Sequence, residues 1–127
     1  METLIIAGTE KTPSIDFNAK TGKLSIGGRS YASDTYDFYN PLIAWVNEYV
    51  KNPKDNTTLE IKLDYFHSVS VKYLTNMIKK LTLLKEEGNS LNIIWIYTED
   101  DDDEACDLGR NIERELSIKF EFVQVTE

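Results

Sequence analysis

Five side chains within one short stretch could do chemistry together: Asp64, His67, Ser68, Ser70 and Lys72. Two hydroxyls beside an imidazole, with a carboxylate and an amine nearby, suit two kinds of work. One is nucleophilic attack by a serine that a histidine has activated. The other is acceptance of a phosphoryl group, which needs only an accessible hydroxyl in surroundings that tolerate new negative charge. For the first, His67 is a poor partner to Ser68, because adjacent residues rarely achieve the required hydrogen bond; another serine would have to be brought to it by the fold. His67 is the only histidine and Cys106 the only cysteine, so a zinc site built from His and Cys is excluded by count. The run Glu99-Asp100-Asp101-Asp102-Asp103-Glu104 offers oxygen ligands. It lacks the spaced acids, glycine and closing glutamate of a calcium loop, and acids ahead of a helix are favourable for the macrodipole alone. With 22 acids in the chain, a pair of carboxylates for acid-base work has no specificity as a signal.

The elements on either side of this stretch set where its side chains stand. Leu59, Ile61, Leu63 and Tyr65 alternate with Glu60, Lys62 and Asp64, a strand with one packed face. Leu74, Met77, Ile78, Leu81 and Leu84 then follow helical spacing, with Gly88-Asn89 as the stop. The strand ends and the helix begins at His67 and Ser68, and Ser68 is a candidate N-cap, its oxygen accepting from an unpaired amide of the first turn.

Ahead of this joint, Leu4-Ile5-Ile6 reads as a short strand, and Ser14 to Phe17 with Lys23 to Ile26 as a hairpin closed by Asn18 to Gly22. Gly27-Gly28 is expected to form a second tight turn before Ser30-Tyr31. Lacking G-x-G-x-x-G, the pair is no nucleotide loop. Tyr36, Tyr39, Leu42, Ile43, Val46 and Tyr49 mark an amphipathic helix. Either it begins at Asn40-Pro41, or, as the positions of Tyr36 and Tyr39 on the stripe favour, it begins near Ser33-Asp34 and is kinked at Pro41. After the joint, Leu91 to Tyr97 is nearly continuous in apolar residues and is expected to be a central strand covered on both faces; on an open face Ile93, Trp95 and Tyr97 would form an exposed patch. Ala105, Leu108, Ile112 and Leu116 give a short helix, and Phe120, Phe122 and Val125 a last strand.

Strands separated by single helices run parallel through right-handed crossovers, so the fold class is α/β (α+β): a single domain over residues 1–127, with a mixed sheet and helices packed mainly on the face of Leu59, Ile61 and Leu63. The formal net charge of -8 repels a phosphate backbone, so nucleic acid and anionic membrane are poor partners. No apolar run spans a bilayer and the N-terminus does not read as a signal peptide, which points to the cytoplasm.

Leu63 to Lys72, with Thr9-Glu10-Lys11-Thr12-Pro13, Phe38-Tyr39-Asn40-Pro41-Leu42 and Trp45, and the aromatic strand followed by acids from Trp95 to Glu104, resembles the SiaC family of small bacterial regulatory phosphoproteins. The likeness covers nearly the whole chain. It implies a STAS-like fold, no catalytic activity and no cofactor or metal. It also implies a cycle in which a dedicated protein kinase phosphorylates the hydroxyl residue of the central motif and a PP2C-type phosphatase removes the phosphate. The unphosphorylated form of such a protein binds and activates a diguanylate cyclase, which links the switch to cyclic di-GMP and biofilm behaviour. Carried across, the phosphoacceptor is Ser68, with Ser70 as the nearby competitor and Asp64, His67 and Lys72 as contacts for the phosphate or the partner. The family usually has Asn-Thr-Ser-Ser where this chain has His67-Ser68-Val69-Ser70.

A phosphate on Ser68 would add about -1.5 to -2 charges at a helix N-terminus, where backbone amides and Lys72 can hold it, while a partner shaped for a neutral hydroxyl would be repelled. Two other readings stand beside this switch. One is a constitutive interaction module in which Ser68 only caps a helix. The other is a small metal-dependent hydrolase that uses His67 or the acidic run.

Overall fold

The computed structural model describes residues 1–30, 35–66, 68–98 and 103–126, with the backbone alone at Thr35, Tyr65, Ser68, Asp103, Glu104 and Ala105. The expected helix start at Ser33-Asp34, Tyr31, His67 and the acids Glu99 to Asp102 lie outside the described residues.

The first strand, β1 (Leu4–Ile6), pairs antiparallel with β2 (Ser14–Asn18), which turns back into β3 (Lys23–Ser30). The turn is fastened by the Asn18 side chain, whose Oδ1 accepts from the amides of Lys20 at 2.9 Å and Thr21 at 3.3 Å. Gly27 and Gly28 do not form the expected second turn. They lie inside β3, where the register slips between Gly28, opposite Leu63, and Arg29, opposite Tyr65. The slip leaves Asp64 as an extra residue on the facing strand, a β-bulge, and Gly28 takes φ +106°, which a side chain would resist.

Helix α1 (Thr35–Tyr49) runs through Pro41, so the longer of the two expected helices is the one formed. Tyr39 is buried as its place on the stripe predicts, but Tyr36 is 60% exposed. Strand β4 (Asn56–Phe66) follows, parallel to β3, and then α2 (Ser68–Leu81). The single helix expected to run on to about Glu87 is broken at Thr82, whose hydroxyl bonds back to the Lys79 carbonyl and whose amide is shared between Ile78 and Lys79. A short α3 (Leu83–Glu86) resumes and stops where predicted. The amide of Asn89 reaches the Leu84 carbonyl at 2.9 Å, that of Gly88 reaches Lys85 at 3.1 Å, and Gly88 sits at φ +88°.

Strand β5 (Ser90–Thr98), helix α4 (Asp103–Leu116) and strand β6 (Glu121–Val125) complete a mixed sheet in the order β1-β2-β3-β4-β5-β6, with β3 to β6 mutually parallel. One face carries Phe17, Leu24, Leu59, Ile61, Ile93 and Trp95, all buried under the helices. Each such side chain contributes about 1.5–3 kcal/mol by leaving water, so this face is the main stabiliser of the fold. The expectation that β5 is covered on both faces is corrected. Ile93 and Trp95 turn inward, whereas Ile94 and Ile96, on the opposite face, are only half-buried beside Val123. That open face also carries exposed Ile5 on β1 and two ion pairs, Lys23 with Glu60 at 3.7 Å and Lys62 with Asp64 at 3.5 Å.

Candidate regulatory site

Because β3 to β6 run in one direction, the chain leaves them at Ser30, Phe66, Thr98 and Val125 on one edge, the carboxyl edge at which α/β sheets place their binding sites. Ser30 and Phe66 are register partners there, so the joint between β4 and α2 lies beside the end of β3.

Ser68 is the first residue of α2 and already helical; an N-cap would stand one position earlier, at His67, outside the described residues. Ser70, two residues on, is 2% exposed and donates its hydroxyl to the Ser30 carbonyl at 2.8 Å. The Ser30 hydroxyl in turn shares a 2.6 Å hydrogen bond with the Tyr39 phenol. Burial pushes the Tyr39 phenol above the ordinary tyrosine value, and the hydrogen bond from Ser30 opposes part of that rise. The crevice around these hydroxyls, walled by Lys11, Thr12, Pro13 and Phe38, has no space for a water molecule.

Aromatic rings fasten the same end of the two helices. Tyr39 stacks on Tyr73 with centroids 5.8 Å apart, and Tyr73 meets the edge of Tyr36 at 6.3 Å. Next to them Val69 is 44% exposed, an apolar side chain directly after Ser68. Val69, Lys72, Tyr73 and Asn76 line a groove of about 610 Å³ that Glu115 of α4 borders. Lys72 is exposed and has no carboxylate within salt-bridge distance among the described residues.

The fold therefore brings Lys72 and the start of α2 together but sets Asp64 apart. Asp64 occupies the bulge on β4, is exposed, and pairs with Lys62 on the sheet face away from the helices. Among the described residues no group of three or more His, Cys, Asp or Glu is placed to hold a metal ion. Ser30 and the phenol of Tyr39 are the members of the site that sequence reading missed. The helical stripe located Tyr39 in the core without revealing its hydroxyl partner.

A parallel-centred mixed sheet with helices on one face, and a strand-to-helix joint at its carboxyl edge, defines a small α/β domain. The chain belongs to the family described as SiaC family regulatory phosphoprotein, whose model matches residues 6–125. It is 25% identical over 120 residues to an uncharacterized protein of Pseudomonas aeruginosa (strain UCBPP-PA14), with 94% of each chain covered. Its fold is similar to the crystal structure of apo-SiaC from Pseudomonas aeruginosa, with a TM-score of 0.85, 25% identity, and coverage of 97% of this chain and 99% of that one. It is also similar to SiaC in the crystal structure of the diguanylate cyclase SiaD in complex with its activator SiaC from Pseudomonas aeruginosa. There the TM-score is 0.87 at 24% identity, with 96% and 99% of the two chains covered.

Proposed function

We propose that this chain is a non-catalytic regulatory protein whose Ser68 is reversibly phosphorylated, and whose unphosphorylated form binds and activates a diguanylate cyclase in the cytoplasm. A protein kinase and a PP2C-type phosphatase would set the state of Ser68. The observation that carries the reading is the burial of Ser70 beside a backbone that begins α2 at Ser68. Ser70 is sealed in the core by its bond to Ser30, which disfavours it as the phosphoacceptor, and Ser68 at the start of α2 is the other hydroxyl residue of the motif. The family to which the chain belongs and the cyclase partner of the similar SiaC support the rest.

A phosphate at the start of α2 is compatible with the fold, because the first-turn amides and the helix dipole favour negative charge and Lys72, one turn on, is an exposed cation with no carboxylate at salt-bridge distance among the described residues. The same charge is incompatible with a partner packed on Val69 and Tyr73, which would have to desolvate it. Phosphosite mass spectrometry on the protein from its native cells under two growth conditions tests the first half of this reading. Phosphate is expected on Ser68, with occupancy that changes between conditions, and none on Ser70. Full peptide coverage without phosphate at Ser68 while the pathway cycles would point instead to a constitutive interaction module.

A further inference from the structure

We propose that Ser70 is a positioning residue of the switch: its buried hydroxyl fastens the first turn of α2 to the Ser30 carbonyl at the end of β3, and the separate bond of the Ser30 hydroxyl to Tyr39 ties that same residue to α1, so that the two bonds hold the turn in the shape the partner binds. This rests on the reading of Ser68 as the switch and assigns a task to the serine that is not modified.

The geometry points to this in three ways. The bonds from Ser70 to Ser30, at 2.8 Å, and from Ser30 to Tyr39, at 2.6 Å, join α2, β3 and α1 at one place. That place adjoins the joint, since Ser30 is the register partner of Phe66, the last residue of β4. The crevice beside these bonds has no space for a water molecule, so the hydroxyls meet protein partners and not solvent. The exposed residues that flank Ser68, namely Val69 and Lys72, belong to the turn that Ser70 anchors, and Tyr73 is held from the other side by its stack on Tyr39. A turn already ordered meets its partner without an ordering cost, whereas a turn that is competent only part of the time binds more weakly by the fraction of time it is competent.

The test is a titration of the purified diguanylate cyclase of the same organism with unphosphorylated variants, read as cyclic di-GMP formation, together with amide hydrogen exchange on the free proteins. Ser70→Ala is expected to raise the half-activating concentration roughly fivefold, the scale of one buried hydrogen bond, with maximal activation unchanged. Exchange should quicken at Val71 to Thr75 and stay unchanged at Leu91 to Trp95. Tyr39→Phe keeps the ring stack and removes only the far hydroxyl, and should shift the half-activating concentration in the same direction by less. The double variant should show less than the product of the two effects, because both bonds hold the same residue, Ser30. A folded Ser70→Ala that melts earlier yet activates as the parent does, with unchanged exchange in the first turn of α2, would overturn the proposal and leave Ser70 a packing residue. Ser68→Ala and Ser68→Asp run alongside. If those two activate alike, the underlying switch reading fails whatever Ser70 does.

Discussion

The Tyr39 phenol is buried and bonded to Ser30, so its ionised form has lost water without gaining a cation. Its folded pKa lies above the unfolded value of 10.0, so the folded chain holds this proton more tightly than the unfolded one. The resulting stability is fully present below the unfolded value and is lost as pH rises through the folded one. Urea unfolding at a series of alkaline pH values should therefore show a steeper loss above pH 10.0 in the parent than in Tyr39→Phe, which itself costs on the order of 1 kcal/mol at neutral pH. Equal slopes would contradict the assignment. At this scale the site was partly legible in the sequence. Ser70 stands four residues before Leu74 and seven before Met77, so the helical period places it on the buried side, although in the sequence alone it stands only as a competing phosphoacceptor. What could not be read is the hydrogen bond to Ser30, because it joins residues forty positions apart.

Between elements, packing decided what local pattern could not. Residues 91–97 are apolar at nearly every position, so alternation carried no information about which parity faced the helices. The close approach of α4 supplies the reason for the parity found. Gly109 lets that helix lie directly on the Trp95 ring, where an added Cβ would fall 2.7 to 2.9 Å from ring carbons. Gly109→Ala gains about 1 kcal/mol of helix propensity and meets an overpacking cost of about 1–3 kcal/mol. A net destabilisation of about 1 kcal/mol is expected, as a lower urea midpoint with unchanged slope. A midpoint equal to or above that of the parent would show that the helix can move off the ring cheaply. The other misreadings share a cause. Gly27-Gly28 resembled a turn and proved to be a bulge, and Leu81 to Leu84 resembled continuous helix and proved to be two helices, because a bulge or a back-bonding Thr82 leaves the apolar period almost untouched.

For the molecule as a whole, the mixed sheet with helices on one face was legible because the period changes from two to that of a helix where β4 meets α2, and the segments between the later strands are helical and long enough for crossovers. The result is a domain with two unlike surfaces. The open sheet face mixes ion pairs with Ile5, Ile94 and Ile96, while the end where α1 and α2 meet exposes Tyr36 and Val69 near Lys72, which has no carboxylate at salt-bridge distance among the described residues. In a chain of net charge -8, that end is where added negative charge is best received by the fold and worst received by an apolar partner. The measurement that tests this most directly is the affinity of one preparation of the protein for the diguanylate cyclase before and after stoichiometric phosphorylation of Ser68, both forms being shown to be folded. A loss of about 3 kcal/mol, on the order of a hundredfold in affinity, is expected on phosphorylation and should be reversed by the phosphatase. Equal affinity of the two forms would contradict the switch.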